Sequence, residues 1–175
     1  MSKFSWLECD PVKVGSDPTH KLEVEGGITD GGSVIVGMGA RINSNNDFTT
    51  LVLWVAPIQD DGTIGPATQQ QFGSDPGHSL EASGQVGSQE VLTGVGMRAA
   101  SGDLTTLVLY GRRLDANTGR LSTKVNTYKF GTAPDNALEV DWNSCDGAQT
   151  VVTSVGARCA DGDVTTMVLG TGNVV

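Results

Sequence analysis

Two short blocks recur three times, in the same order, along this chain. Gly15-Ser16-Asp17-Pro18 running on to Leu22-Glu23-Val24 returns as Gly73-Ser74-Asp75-Pro76 to Leu80-Glu81-Ala82, then as Gly131-Thr132-Ala133-Pro134 to Leu138-Glu139-Val140. The copies lie 58 residues apart both times. Gly39-Ala40-Arg41 followed by Asp47-Phe48-Thr49-Thr50-Leu51-Val52-Leu53 has counterparts in Gly96-Met97-Arg98 with Asp103-Leu104-Thr105-Thr106-Leu107-Val108-Leu109, and Gly156-Ala157-Arg158 with Asp163-Val164-Thr165-Thr166-Met167-Val168-Leu169. A triplicated unit of this length implies three copies of one supersecondary motif around a shared core. The repeats span 15–72, 73–130 and 131–175 of a single domain, 1–175, which is long enough to bury a core without metals or disulfides. The third copy is short, and residues 1–14 are expected to supply its last strand. The two ends of the chain then meet, and a ring so closed leaves few free sheet edges.

Inside a unit the periodicity is that of strands. Val34, Val36, Met38 and Ala40 alternate with Ile35, Gly37, Gly39 and Arg41, and no segment of comparable length shows helical spacing. Four strands per unit are predicted, at about 21–24, 33–42, 48–58 and 67–72 in the first. Gly102-Asp103, Gly162-Asp163 and Asn45-Asn46-Asp47 mark tight turns between the second and third. The fold class is therefore all-β, a pseudo-threefold β-prism of three four-stranded units closed by the N-terminal strand. A β-trefoil is the alternative, disfavoured by the length of the units and by the lack of Gln-x-Trp.

The formal charge is −9, from 20 acids against 11 Lys and Arg. That sign argues against a nucleic-acid partner, since phosphate backbones need cations. No apolar run approaches the roughly 18 residues of a membrane-spanning helix, and 1–10 lacks a basic flank followed by an apolar stretch. The expected setting is cytoplasmic, or release without a classical signal peptide. Three cysteines, Cys9, Cys145 and Cys159, permit no full disulfide framework, and no cofactor or zinc motif occurs.

The segment Cys145-Asp146-Gly147 through Val155-Gly156-Ala157-Arg158 to Gly162-Asp163-Val164-Thr165-Thr166-Met167-Val168-Leu169 resembles the repeating unit of vitelline membrane outer layer proteins and the strand, Gly-Asp turn, strand hairpin of jacalin-related lectins. Both families have the three-sheet β-prism fold, so the resemblance implies that fold and, through the lectins, glycans or glycoproteins as partners. The lectins' Gly-x-x-x-Asp sugar loop has its nearest counterpart in Gly26 to Asp30, which makes Asp30 a candidate ligand residue.

Arg41, Arg98 and Arg158, with Asp47, Asp103 and Asp163, form the strongest constellation. Each Arg precedes its Asp across a hairpin end, close enough in sequence for a charge-assisted pair. With the neighbouring Thr hydroxyls they would give each unit a polar pocket suited to sugar hydroxyls; alternatively Asp caps the turn and Arg pins the strand. Trp54 and Tyr110 occupy matching positions, with Gly170 in the third unit, so they would provide two stacking platforms for sugar rings or pack between sheets. Trp6 and Trp142 are expected to hold the closing strand. His20 and His78 give way to Asn136 in the third unit, which argues against titration or metal binding as a shared role. The loops at Asp30 and Asp146 offer too few carboxylates for calcium. No nucleophile motif is present. The expectation is a non-catalytic carbohydrate-binding protein with two or three pseudo-equivalent sites and no cofactor. The alternative is a structural or interaction module, or a toxin-associated component, without a sugar ligand.

Overall fold

The computed structural model describes residues 4–43, 45–144 and 148–175. The strands are β1 (Trp6–Val14), β2 (Val24–Gly27), β3 (Ser33–Ile42), β4 (Phe48–Pro57), β5 (Thr68–Phe72), β6 (Ala82–Gln85), β7 (Glu90–Ala100), β8 (Asp103–Leu114), β9 (Leu121–Phe130), β10 (Val140–Asn143), β11 (Thr150–Ala160) and β12 (Asp163–Val174). They form three four-stranded sheets, ordered β5-β4-β3-β6, β9-β8-β7-β10 and β1-β12-β11-β2, with every pairing antiparallel. All three contribute to one apolar core that includes Met38, Leu53, Met97, Leu109, Met167 and Leu169. Three sheets around one axis are a β-prism.

The sheets run one strand out of phase with the sequence repeat. The short strand that opens each unit joins the sheet before it: β2 pairs β11, β6 pairs β3 and β10 pairs β7. The N-terminal segment therefore completes the third sheet with two strands, β1 on β12 and β2 on β11. The chain ends meet, with the Val175 amide donating to the Ser5 carbonyl at 2.9 Å.

The recurrent Gly and the second Thr of each Thr-Thr pair explain how the chain crosses between sheets. Gly15, Gly73 and Gly131 hold φ of 120°, 109° and 106°. A Cβ on them would lie 2.1 to 2.2 Å from the carbonyl oxygens of Thr165, Thr49 and Thr105. Those carbonyls accept the amides of Asp17, Asp75 and Ala133. The buried Thr166, Thr50 and Thr106 hydroxyls donate to the carbonyls of the same three residues at 2.7 Å. These hydroxyls are thus spent on the chain crossing, so they do not face a sugar.

Candidate functional site

At one end of the prism the β3–β4, β7–β8 and β11–β12 hairpins converge. Ser101 and Gly102 (φ 53° and 82°), and Asp161 and Gly162 (φ 53° and 84°), form the two tight turns, both central residues positive as a type I′ hairpin requires. The turn therefore falls one residue earlier than predicted, and Asp103 and Asp163 open the next strand opposite Ala100 and Ala160. The first hairpin is wider, closed by the Asn43 amide donating to the Asp47 carbonyl. Ser44 within it lies outside the described residues, as do Cys145, Asp146 and Gly147.

The residues that organise this end are glutamates. Glu81 Oε1 accepts the Ile42 amide at 2.7 Å and the Leu104 amide at 3.0 Å. Glu139 Oε1 does the same for Ala99 and Val164 at 2.8 and 3.0 Å, and Glu23 Oε1 for Cys159 and Phe48 at 2.8 and 3.1 Å. Each carboxylate satisfies two buried donors from two different sheets, closing a threefold belt. Partial burial raises the pKa of all three above the ordinary carboxylate value; the backbone bonds oppose this, and Asp47, Asp103 and Asp163 beside them reinforce it. The Leu-Glu recurrence was visible in the repeat; that one carboxylate would serve two sheets was not.

The expected Arg–Asp pair across each hairpin is absent among the described residues. A register shift after each Arg sets Arg41, Arg98 and Arg158 opposite Thr50, Thr106 and Thr166. Arg158 instead approaches Glu23 at 3.9 Å, and Arg98 donates to the Ala137 carbonyl at 3.2 Å. Arg98 Nε is buried and finds no partner among the described residues.

Arg41, Arg98, Asp103 and Asp163, with Asn46 and Asp161, line one shared depression of about 740 Å³ where the three hairpins meet. Asp47 stands exposed on the first hairpin. Trp54 and Tyr110 do not belong here. Tyr110 stands seven residues along β8 from Asp103, about 23 Å in an extended strand. It is half-buried, and its hydroxyl donates to Asp141 at 2.7 Å. Burial first, then that carboxylate, hold the phenol well above its ordinary pKa. Trp54 takes the matching place opposite Gly37 and packs against the core. Asp30 lies at the opposite end, before β3, where its carboxylate accepts the Gly32 amide and the Ser33 hydroxyl at 2.9 and 3.1 Å. It caps a turn. His20 and His78 are exposed, and among the described residues each ring makes hydrogen-bond contact only with the residue that follows it. Among the described residues no group of three or more His, Cys, Asp or Glu is placed to hold a metal.

The fold and this end of it place the protein in the class of β-prism proteins. No known family's sequence model matches the chain, and no curated protein does. Among solved structures the chain is similar to Calsepa lectin in complex with bisected glycan, at 13% identity and a TM-score of 0.44, covering 99% of this chain and 97% of that one. It is also similar to Calystegia sepium agglutinin, at 11% identity and a TM-score of 0.37, with the same coverage. Among the described residues no helix is long and apolar enough to cross a membrane.

Proposed function

We propose that this protein binds carbohydrate without transforming it, through the depression at the hairpin end. The carrying observation is that three hairpins deliver guanidinium and carboxylate groups of both signs to one open hollow, at Arg41, Arg98, Asp103 and Asp163. A sugar hydroxyl donates and accepts at once, so it is served by such mixed lining. The neighbouring glutamates are occupied by backbone amides, which suits a scaffold better than proton transfer. Convergence of the hairpins favours one composite site over three separate ones.

Glycan-array binding by the wild type, lost in Asp103→Ala and Arg98→Ala, is the expected result. Asp103 also raises the pKa of Glu81, so removing it relieves repulsion and the variant should stay folded. The rival is a structural or interaction module, favoured by the repeat's threonine and glutamate side chains being spent internally. In that case no array signal exists for Asp103→Ala to abolish.

A further inference from the structure

The third sheet carries a second depression, of about 570 Å³, away from the hairpin end. It is bounded by Leu7 and Glu8 of β1, Glu25 to Gly27 of β2, the connection through Ile28 and Thr29, and Thr153 and Ser154 of β11. The pseudo-threefold repeat provides the comparison. In the second sheet the equivalent positions are filled: Gly94 lies opposite Tyr110 on one side and Asn143 on the other. The Tyr110 ring reaches within 2.8 Å of where a Cβ on Gly94 would sit. In the third sheet Ser154 occupies the Gly94 position, and its two neighbours are Gly170 and Gly27. Both large side chains have been deleted together.

Their removal leaves a polar group behind. Thr93 Oγ1 of the second sheet donates toward the Asn143 side-chain oxygen and the Tyr110 carbonyl, at 3.4 Å each. Thr153 stands in the same place, is only 4% exposed, lines the depression, and among the described residues its hydroxyl has no hydrogen-bond partner. That hydroxyl opens on the depression and is free to donate to a ligand there. Beside it, Ser154 Oγ accepts the Gly170 amide at 3.0 Å, leaving its proton to donate.

We propose that this depression is a second ligand site, and that its ligand is a neutral pyranose carrying an acetamido group. The ring takes the space that Tyr110 fills in the second sheet, and the amide oxygen replaces that of Asn143 as acceptor for the Thr153 hydroxyl. Leu7, 64% exposed, and Ile28 supply apolar contact for the methyl and the ring's C–H face. Glu8 and Glu25 line the depression with no Lys or Arg among its lining residues, so anionic sugars are rejected. The site is separate from the hairpin end and stands whether or not that end binds sugar.

The test is an amide chemical-shift titration of the intact protein with N-acetylglucosamine, glucose and N-acetylneuraminic acid. Saturable shifts at Gly27, Thr153, Ser154 and Gly170 with N-acetylglucosamine are expected. Glucose should bind roughly five- to tenfold more weakly, as loss of one hydrogen bond implies, and N-acetylneuraminic acid not at all. Thr153→Val should weaken binding by roughly five- to tenfold. The combined change Gly27→Asn, Ser154→Gly and Gly170→Tyr, which copies the second sheet, should abolish it. Shifts that persist in that variant, equal binding of glucose, or no saturable shift with N-acetylglucosamine would each overturn the assignment. If the triple variant fails to fold, Thr153→Val decides alone, unchanged affinity refuting the site. Shifts at residues 98–103 report separately on the hairpin end, and Asp103→Ala leaves this site intact.

Discussion

Glu81 shows how much one side chain does here. Replacing it with Ala strands the buried amides of Ile42 and Leu104 and should cost about 2–4 kcal/mol, read as a lower denaturation midpoint. Glu81→Gln keeps the accepting oxygen and should cost much less. The three belt glutamates also set a pH dependence. Their folded pKa lies above the ordinary 4.5, so folding favours their protonated form. The stability they contribute is fully present below about pH 4.5 and is lost as pH rises through the raised folded value. Tm should therefore increase on going from pH 7 toward pH 5, and Glu81→Gln should flatten that rise. A Tm that falls steadily over the same range would contradict the burial of these groups. Elsewhere, burial and then nearby carboxylates push the Cys159 thiol up to about 12, whereas Cys9 is exposed. Alkylation at pH 8 should accordingly mark Cys9 and spare Cys159.

At the scale of elements, each corner where sheets meet holds one large aromatic ring. A Cβ on Gly26 would run into the Phe72 ring at 2.3 Å, and one on Gly84 into Phe130 at 2.1 Å. The third corner, between β10 and β1, reverses the order of sizes: the position of Gly26 and Gly84 is Trp142, and that of Phe72 and Phe130 is Val14. The aromatic ring changes sides, so each corner still has one to fill it, as close packing demands. Trp142→Gly alone should destabilise by about 2 kcal/mol or more, and adding Val14→Phe should recover a good part of it in a double-mutant cycle. Additive losses would show that the two residues do not share a corner. Such exchange between copies is also why the tryptophans stood out in the sequence without revealing their partners.

For the whole molecule, closure rests on the N-terminal strands. Trp6 is 5% exposed, its indole donates to the Ser33 carbonyl at 2.7 Å, and β1 covers β12 along most of its length. Deleting residues 1–14 bares that strand and a core face, so cooperative unfolding should disappear and the chain should aggregate. By contrast, a circular permutant that joins the ends and opens at 60–62, in the β4–β5 connection, should fold with Tm within a few degrees of the parent. A permutant that fails would mean that chain order, rather than strand content, limits the ring.

The triplicate pattern was legible because apolar alternation and turn residues are local properties of a strand. With the length of the units, they determined three four-stranded groups, the hairpins and the meeting of the ends. What tertiary structure decided was everything that depends on neighbours from another copy. The short strand of each unit pairs with the sheet before it, because a strand's partner is chosen by spatial proximity and open edges and not by its repeat. Arg98 misses Asp103 because a one-residue register shift intervenes. Glu81 bridges two sheets that the sequence lists as separate units. Asp30, Trp54 and Tyr110 fall far from the hairpin end because an extended strand separates residues by about 3.3 Å each, so proximity in a motif becomes distance in space. The depression at Thr153 brings Gly27 beside Ser154, residues 127 positions apart in the sequence, which only the folded sheet makes neighbours.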